Sequence, residues 1–303
     1  MSLEWELYEE KRRKLRRSSF FRGIFFTLAL LVVGVVIFLW RSEEIYSPHI
    51  AVYDLEGVIF DDFERDNILN EIADDDKVLG MILRINSPGG SVVGAEAVYG
   101  SVRTVARKKP VVVTMGEVAA SAGYIAALGG DHIIARGNSL TGSIGVIVQY
   151  PNLSKLAETI GISIEEIKSS EAKGSMNPLK KMDTVNRVFQ EQVVQDSFVW
   201  FKKLVSQRRG LSKRDIAKVS QGQLLTGRMA LRLDLIDAIG GIPEAIKYFE
   251  SKDPKFIDIE LRDWTISDDF PPFWVRFFGI KNIISFVNKL SSESRPSLFS
   301  IVS

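Results

Sequence analysis

The sequence predicts an α/β fold in which helices cover a largely parallel sheet, with one apolar helix ahead of it. Three observations predict this. Near-continuous apolar runs of strand length alternate with helical stretches, glycine- and proline-bearing joints separate them, and an uncharged stretch of 18 residues, Gly23 to Trp40, precedes them all.

The apolar stretch extends backwards through Phe20 and Phe21 and reaches the roughly 20 residues that one hydrocarbon core requires. Lys11, Arg12, Arg13, Lys14, Arg16, Arg17 and Arg22 precede it, whereas Arg41 beyond it is followed by Glu43 and Glu44. The positive-inside bias therefore predicts a cytoplasmic basic tail over 1–19 and a transmembrane signal anchor over 20–40 in a bacterial inner membrane, with the remainder periplasmic or otherwise extracytoplasmic. A cleaved signal peptide is the competing reading, but Ile37-Phe38-Leu39-Trp40-Arg41 lacks a small-x-small cleavage pattern.

A linker over 41–48 leads into a main domain over 49–251. His49 to Leu55 alternates as a strand does and turns at Gly57; Val78 to Asn86 reads as a strand buried on both faces. A Ser-Pro-Gly-Gly turn (Ser87 to Gly90), a helix to about Lys109 and a third strand from Pro110 to Met115 follow. The small residues Ala119 to Tyr124 then open a helix. Further strands are expected at Asp131 to Arg136, Gly145 to Tyr150 and Ser163 to Ile167, and helices at Thr184 to Arg209, Ser212 to Val219, Gly227 to Arg232 and Pro243 to Glu250. The extension over 252–303 has helical apolar spacing from Phe270 to Val287, suited to capping the core, meeting another subunit or lying in a membrane interface.

Beyond residue 42 the balance is 31 basic to 34 acidic side chains, which leaves no footprint for nucleic acid. The absence of cysteine excludes disulfides, thiolate metal sites and cysteine nucleophiles without choosing a compartment.

Acyl hydrolysis needs a nucleophile, a base and donors for the oxyanion. Ser121, among small residues where a strand gives way to a helix, is placed to expose its hydroxyl, although small residues also suit tight packing alone. The two histidines offer a poor base, His49 being close to the anchor and His132 at the start of a strand. That leaves a serine-lysine arrangement with Lys173 as the candidate, which from spacing alone is equally a solvated surface lysine. A lysine serves as base only where burial beside the serine lowers its pKa from about 10.4 to around 7–8. The bare backbone of Gly89-Gly90 and the Ala122 N–H are the candidate oxyanion donors.

Four segments in order, Ile85-Asn86-Ser87-Pro88-Gly89-Gly90-Ser91-Val92, Met115 to Tyr124, Thr141-Gly142-Ser143-Ile144-Gly145-Val146, and Ile167 to Lys173, resemble the bacterial signal peptide peptidase A (protease IV) family in its short, single-copy form. The resemblance implies a crotonase/Clp-protease-like fold, a repeated β-β-α sheet with covering helices. It implies Ser121 as nucleophile, Lys173 as base, Ser143 as the hydroxyl that orients the lysine, Gly90 and Ala122 as oxyanion donors with Gly89 supporting their turn, and no cofactor or metal. Where the related Clp protease carries its histidine base, this chain has Val146. Ala122, Ser170 and Asp234 stand where the family tends to carry glycine, and the last of these predicts a positive φ at Asp234.

The function implied is a membrane-anchored serine endopeptidase acting on remnant signal peptides or other unfolded apolar segments. The resemblance also implies a homo-oligomeric ring whose serine and lysine meet across adjacent subunits. Crotonase-type acyl-CoA chemistry and an inactive membrane scaffold are the alternatives, the first disfavoured because coenzyme A is intracellular.

Overall fold

The computed structural model describes residues 25–34, 47–174 and 176–264. Residues 25–34 form a helix, α1, inside the expected anchor. The rest of that span, the basic tail and the aromatic segment after 264 lie outside the described residues. None of the described helices is long and apolar enough to cross a membrane.

Strand and helix then alternate one to one: β1 (His49–Ile59), α2 (Phe63–Asp74), β2 (Val78–Gly90), α3 (Val92–Ala106), β3 (Val111–Ala120) and α4 (Ala122–Ala127). The three strands pair in parallel, β1 with β2 and β2 with β3. Their residues divide by parity. Ala51, Tyr53, Met81, Leu83, Val111 and Val113 join one apolar cluster with Leu69, Val98, Tyr124 and Phe201, while Ile50, Val52, Ile82 and Val112 join a second with Ala245, Phe249 and Phe256. Both sheet faces are thus buried, which is why these strands read as unbroken apolar runs.

Several expectations are corrected. Ser87 to Gly90 is not a turn: β2 continues through it, with Gly89 opposite Val58 and Gly90 opposite Ile59. The reason lies in β1, where an irregularity at Gly57 (φ 71°) lets the strand run on and keep β2 paired. The expected α/β sheet forms, its longer strands continuous through breaks in register at Glu56/Val58 of β1 and Ile85/Ser87 of β2. β3 stays unbroken and changes partner, pairing first with β4 (His132–Ala135) and then with β5 (Leu140–Gly142).

The strands expected at 145–150 and 163–167 do not form. The outer edge of β5 is taken by the antiparallel β6 (Leu224–Thr226), leaving Ile147 and Ile167 in solvent. Only the short helix α5 (Ser154–Thr159) interrupts this region.

The later helices match expectation closely: α6 (Thr184–Arg209), α7 (Lys213–Val219), α8 (Gly227–Arg232) and α9 (Ile242–Lys252). Asp183 caps the start of α6, and Gly210 (φ 64°) ends it. Arg209 grips Asp237 with two hydrogen bonds of 2.8 and 3.1 Å. Burial alone would raise the Asp237 carboxyl, but Arg209 and the Ile133 N–H hold it below the usual range.

The boundary at 251 falls inside the fold. Phe256 is buried in the second cluster, and β8 (Glu260–Asp263) adds a parallel strand to β1. Trp264 closes this edge, its N–H reaching Val52 O and its indole Nε1–H donating to His49 Nε2 at 3.0 Å. The short β7 (Ala238–Ile239) completes the sheet beside β4.

Asp234 has φ 56°, the left-handed conformation expected where the family tends to carry glycine. Asp234→Gly is therefore expected to raise stability by about 0.5 kcal/mol and Asp234→Ala to lower it, the relief of strain being partly offset by the greater freedom of glycine when unfolded. Thermal unfolding of the two variants checks the opposite signs.

Candidate active site

Ser121 stands between β3 and α4 with φ 53° and ψ −116°, a conformation that L-residues seldom adopt. Neighbouring elements fix it there. Its N–H donates to Gly142 O at 2.9 Å, and its carbonyl accepts from Tyr124 and Ile125. At the other end of α4, Arg208 donates from Nε to Leu128 O and from Nη2 to Gly130 O, both at 2.7 Å. Tyr124, fully buried, ties the same helix to Leu235 O, and burial pushes its phenol well above the usual range. The Ser121 hydroxyl makes no hydrogen bond among the described residues.

The end of β2 packs against this turn. Gly89 has φ 128°, and a Cβ there would stand 3.0 Å from Ser121 Cβ and 3.5 Å from Ala122 N. Gly90 is tighter, since a Cβ would fall 1.9 Å from Ile59 O. Bare backbone is therefore required where the strand meets the serine. Ala122 is buried and begins α4, so its N–H has no partner within the helix and finds none elsewhere among the described residues. Ser121, Ala122 and Gly90 together line a pocket of about 90 Å³, closed by Ala95, Ile125, Val146, Trp200 and Phe201 among others.

Lys173 does not line that pocket. It is exposed in a turn, its N–H bonded to Ser170 O and its ammonium without a partner among the described residues. The segment around it is clamped at its base, where Glu166 accepts from Lys168, Asn177 and Lys180, bonds that hold its carboxyl down at about 2. Asn186 of α6 donates to Glu171 O two residues before the lysine.

Ser143 is half-buried with φ 49°, and its N–H donates to Gln223 O. It stands two residues before Gly145 of the pocket wall, and its hydroxyl is unbonded among the described residues. Neither histidine lines the pocket. His49 is buried between Ser47 O and Trp264, and His132 stacks on Tyr248 at 4.1 Å, its pKa lowered by burial.

One chain thus brings together Ser121, Gly89, Gly90 and Ala122, and leaves Lys173 outside. The sequence reading missed the contribution of α6. Ser197, Trp200 and Phe201 share one face by their i, i+3, i+4 spacing, a periodic signal that was available.

A serine on a strained strand-to-helix joint, beside the Ala122 N–H that is unbonded among the described residues and beside glycine backbone, is an arrangement suited to acyl transfer. The family model "Peptidase family S49" matches residues 103–253. Protease 4 of Haemophilus influenzae is 33% identical over 239 residues, which cover 75% of this chain and 38% of that protein. A putative protease of Synechocystis is 30% identical over 238 residues, covering 77% of this chain and 84% of its own length. A putative signal peptide peptidase SppA of Enterococcus faecium is 30% identical over 243 residues, with 75% and 70% covered. The chain belongs to peptidase family S49, and it spans well under half the length of the Haemophilus relative.

Proposed function

We propose that the chain is a membrane-anchored serine endopeptidase that cleaves remnant signal peptides or other unfolded apolar segments outside the cytoplasm. The observation that carries this is Ser121 held in its strained turn against Gly89 and Gly90, with the Ala122 N–H free beside it. Ser121 Oγ attacks the scissile carbonyl while its proton passes to Lys173 Nζ. The carbonyl oxygen, now negative, accepts from the Gly90 and Ala122 N–H groups. Collapse expels the amine, which takes the proton from the lysine, and water then releases the acyl group from Ser121 by the same steps. Ser143, near the pocket wall, orients the lysine. The strand-helix alternation and the backbone at Gly89-Gly90 support a place in the crotonase and Clp-protease superfamily.

Lys173 reaches Ser121 from a neighbouring copy in a homo-oligomeric ring. Its exposed ammonium, without a partner among the described residues, supports this, as do the exposed apolar side chains Ile147, Ile162, Ile167, Val188, Phe189 and Val193 on the same segment and the start of α6. Burial between copies removes water from the lysine, as its role as base requires.

The test is hydrolysis of an unfolded apolar peptide by Ser121→Ala, by Lys173→Ala, and by the two mixed after dissociation and reassembly. Both variants are expected to be inactive and the mixture to regain activity. A dead mixture would place the pair within one chain, active single variants would sink the serine-lysine mechanism, and a wild type without activity would favour the scaffold.

A further inference from the structure

The second face of the sheet changes character halfway along its strands. Val52, Ile82 and Val112, in register with one another, lie in the apolar cluster with Ala245 and Phe249 of α9. Two residues on, the same face presents Asp54, Arg84 and Thr114, again in register, and two further on Glu56 and Asn86. On β4 the same alternation leads from Ile134 to Arg136, just past the strand. Glu56, Arg84, Asn86, Thr114 and Arg136 line one open cleft with Gly241-Ile242 at the start of α9. It lies at the carboxyl ends of parallel strands, where open α/β sheets bind ligands. We propose that this cleft binds the carboxyl terminus of a short peptide, its carboxylate held at the start of α9 by Arg136, Asn138, Thr114 and the Ile242 N–H. The inference goes beyond the peptidase reading and does not depend on it.

Four donors meet there without partners among the described residues. Arg136 Nη2 lies beside Gly241, 4.0 Å from where a Cβ would stand, and its guanidinium makes no hydrogen bond or ion pair. The Asn138 amide oxygen accepts from Arg228 at 2.6 Å, which leaves its NH2 group to donate. Thr114 is only 5% exposed, yet its hydroxyl is unbonded, a state in which buried polar groups are seldom left. The Ile242 N–H opens α9 and has no acceptor within the helix, whereas the Gly241 N–H before it is taken by Glu244 Oε2 at 2.7 Å. Charge narrows the ligand. Asp54 already neutralises Arg84 at 3.1 Å, and Glu56 and Glu117 line the cleft. The Glu244 carboxyl, held below its usual range by the Gly241 N–H and in part by Arg136, adds another negative charge. Such a surface repels a dianion and suits a single carboxylate joined to a cation. Arg136 follows β4 and Glu56 lies on β1, three strand spacings apart, about 14 Å or some four extended residues. Between them Asn86, its oxygen accepting from the Val118 N–H at 3.3 Å, keeps its NH2 group for peptide carbonyls.

The test uses the full chain in detergent, carrying Ser121→Ala so that no peptide is consumed. The probes are tetraalanine with free termini, its carboxyl-terminal amide, its amino-acetylated form and inorganic phosphate. Calorimetry gives affinity, and hydrogen exchange gives place. Free tetraalanine is expected to slow exchange over 114–117 and 136–140. The amide is expected to bind at least about tenfold more weakly, the scale of one charge-assisted hydrogen bond, and acetylation to cost about two- to fivefold. Arg136→Gln should weaken the free peptide by about tenfold or more, and Thr114→Val, which keeps the shape of the side chain, by about threefold. Arg136 is exposed, so its replacement leaves the fold intact, and thermal unfolding of both variants verifies this. Equal binding of acid and amide, displacement of the peptide by equimolar phosphate, or affinity unchanged in both variants overturns the assignment. So does slowing confined to 89–90 and 121–122, or no binding at all. None of these outcomes touches the roles proposed for Ser121 and Lys173.

Discussion

Ser121→Gly is expected to abolish peptide hydrolysis and at the same time raise the thermal midpoint by about 2–4 °C. The two effects share one cause. The backbone at φ 53° and ψ −116° costs a side-chain-bearing residue about 1–3 kcal/mol, and glycine removes most of that while adding back a smaller entropic cost of its own. Activity, meanwhile, loses its proposed nucleophile, for which a fall of at least about 10³-fold is the scale seen in serine enzymes. Ser121→Ala separates the terms, because alanine retains the strain: it should be equally inactive with an unchanged midpoint. Calorimetry of both variants beside a hydrolysis assay decides the matter, and equal midpoints for glycine and alanine would mean that no strain is stored at this joint.

Gly90→Ala is expected to be the most damaging of the small substitutions. A methyl group there would overlap Ile59 O at 1.9 Å and Ile59 C at 2.6 Å, and backbone is what would have to give. Ile59 is itself buried, so the end of β1 cannot swing away cheaply. A loss of about 3 kcal/mol or more in urea unfolding is expected. In the protein that remains folded, displacement of the proposed oxyanion donor should lower kcat by a further 10²–10³-fold or so. Gly100→Ala is the control: it lies in α3 with nothing within 4 Å of a built Cβ, and should stabilise slightly.

The central sheet was readable because its strands carry a long apolar signal on both faces, and α6 because 26 residues of helical periodicity are hard to mistake. The failures share a different character. β5, β6 and β7 span two or three residues, too few to show a period of two, and they exist because β3 changes partner and leaves edges to fill. Conversely, Gly145 to Tyr150 and Ser163 to Ile167 have strand-like composition yet pair with no strand of the sheet. Composition records what a segment could pair as, whereas pairing also needs a vacant partner. The same distinction holds at the site. Ser121, Gly90 and Ala122 are local in sequence to the strand ends that present them, so their places were legible. The part of the pocket lining that α6 supplies comes from some eighty positions further along the chain and is visible only once that helix has packed.

The parallel pairing of β1 with β8 also determines how the folded body would bear a load. The chain enters at His49, which lies opposite Glu260, and leaves past Asp263, which lies opposite Val52, so entry and exit fall at opposite ends of one strand pair. Tension between the two ends pulls these strands past each other lengthwise. Every hydrogen bond of the ladder then resists together, where a hairpin pulled from its open end would give them up one at a time. Were the chain tethered at its amino terminus as proposed, a pull from beyond Asp263 would load this pair in shear and not in peeling.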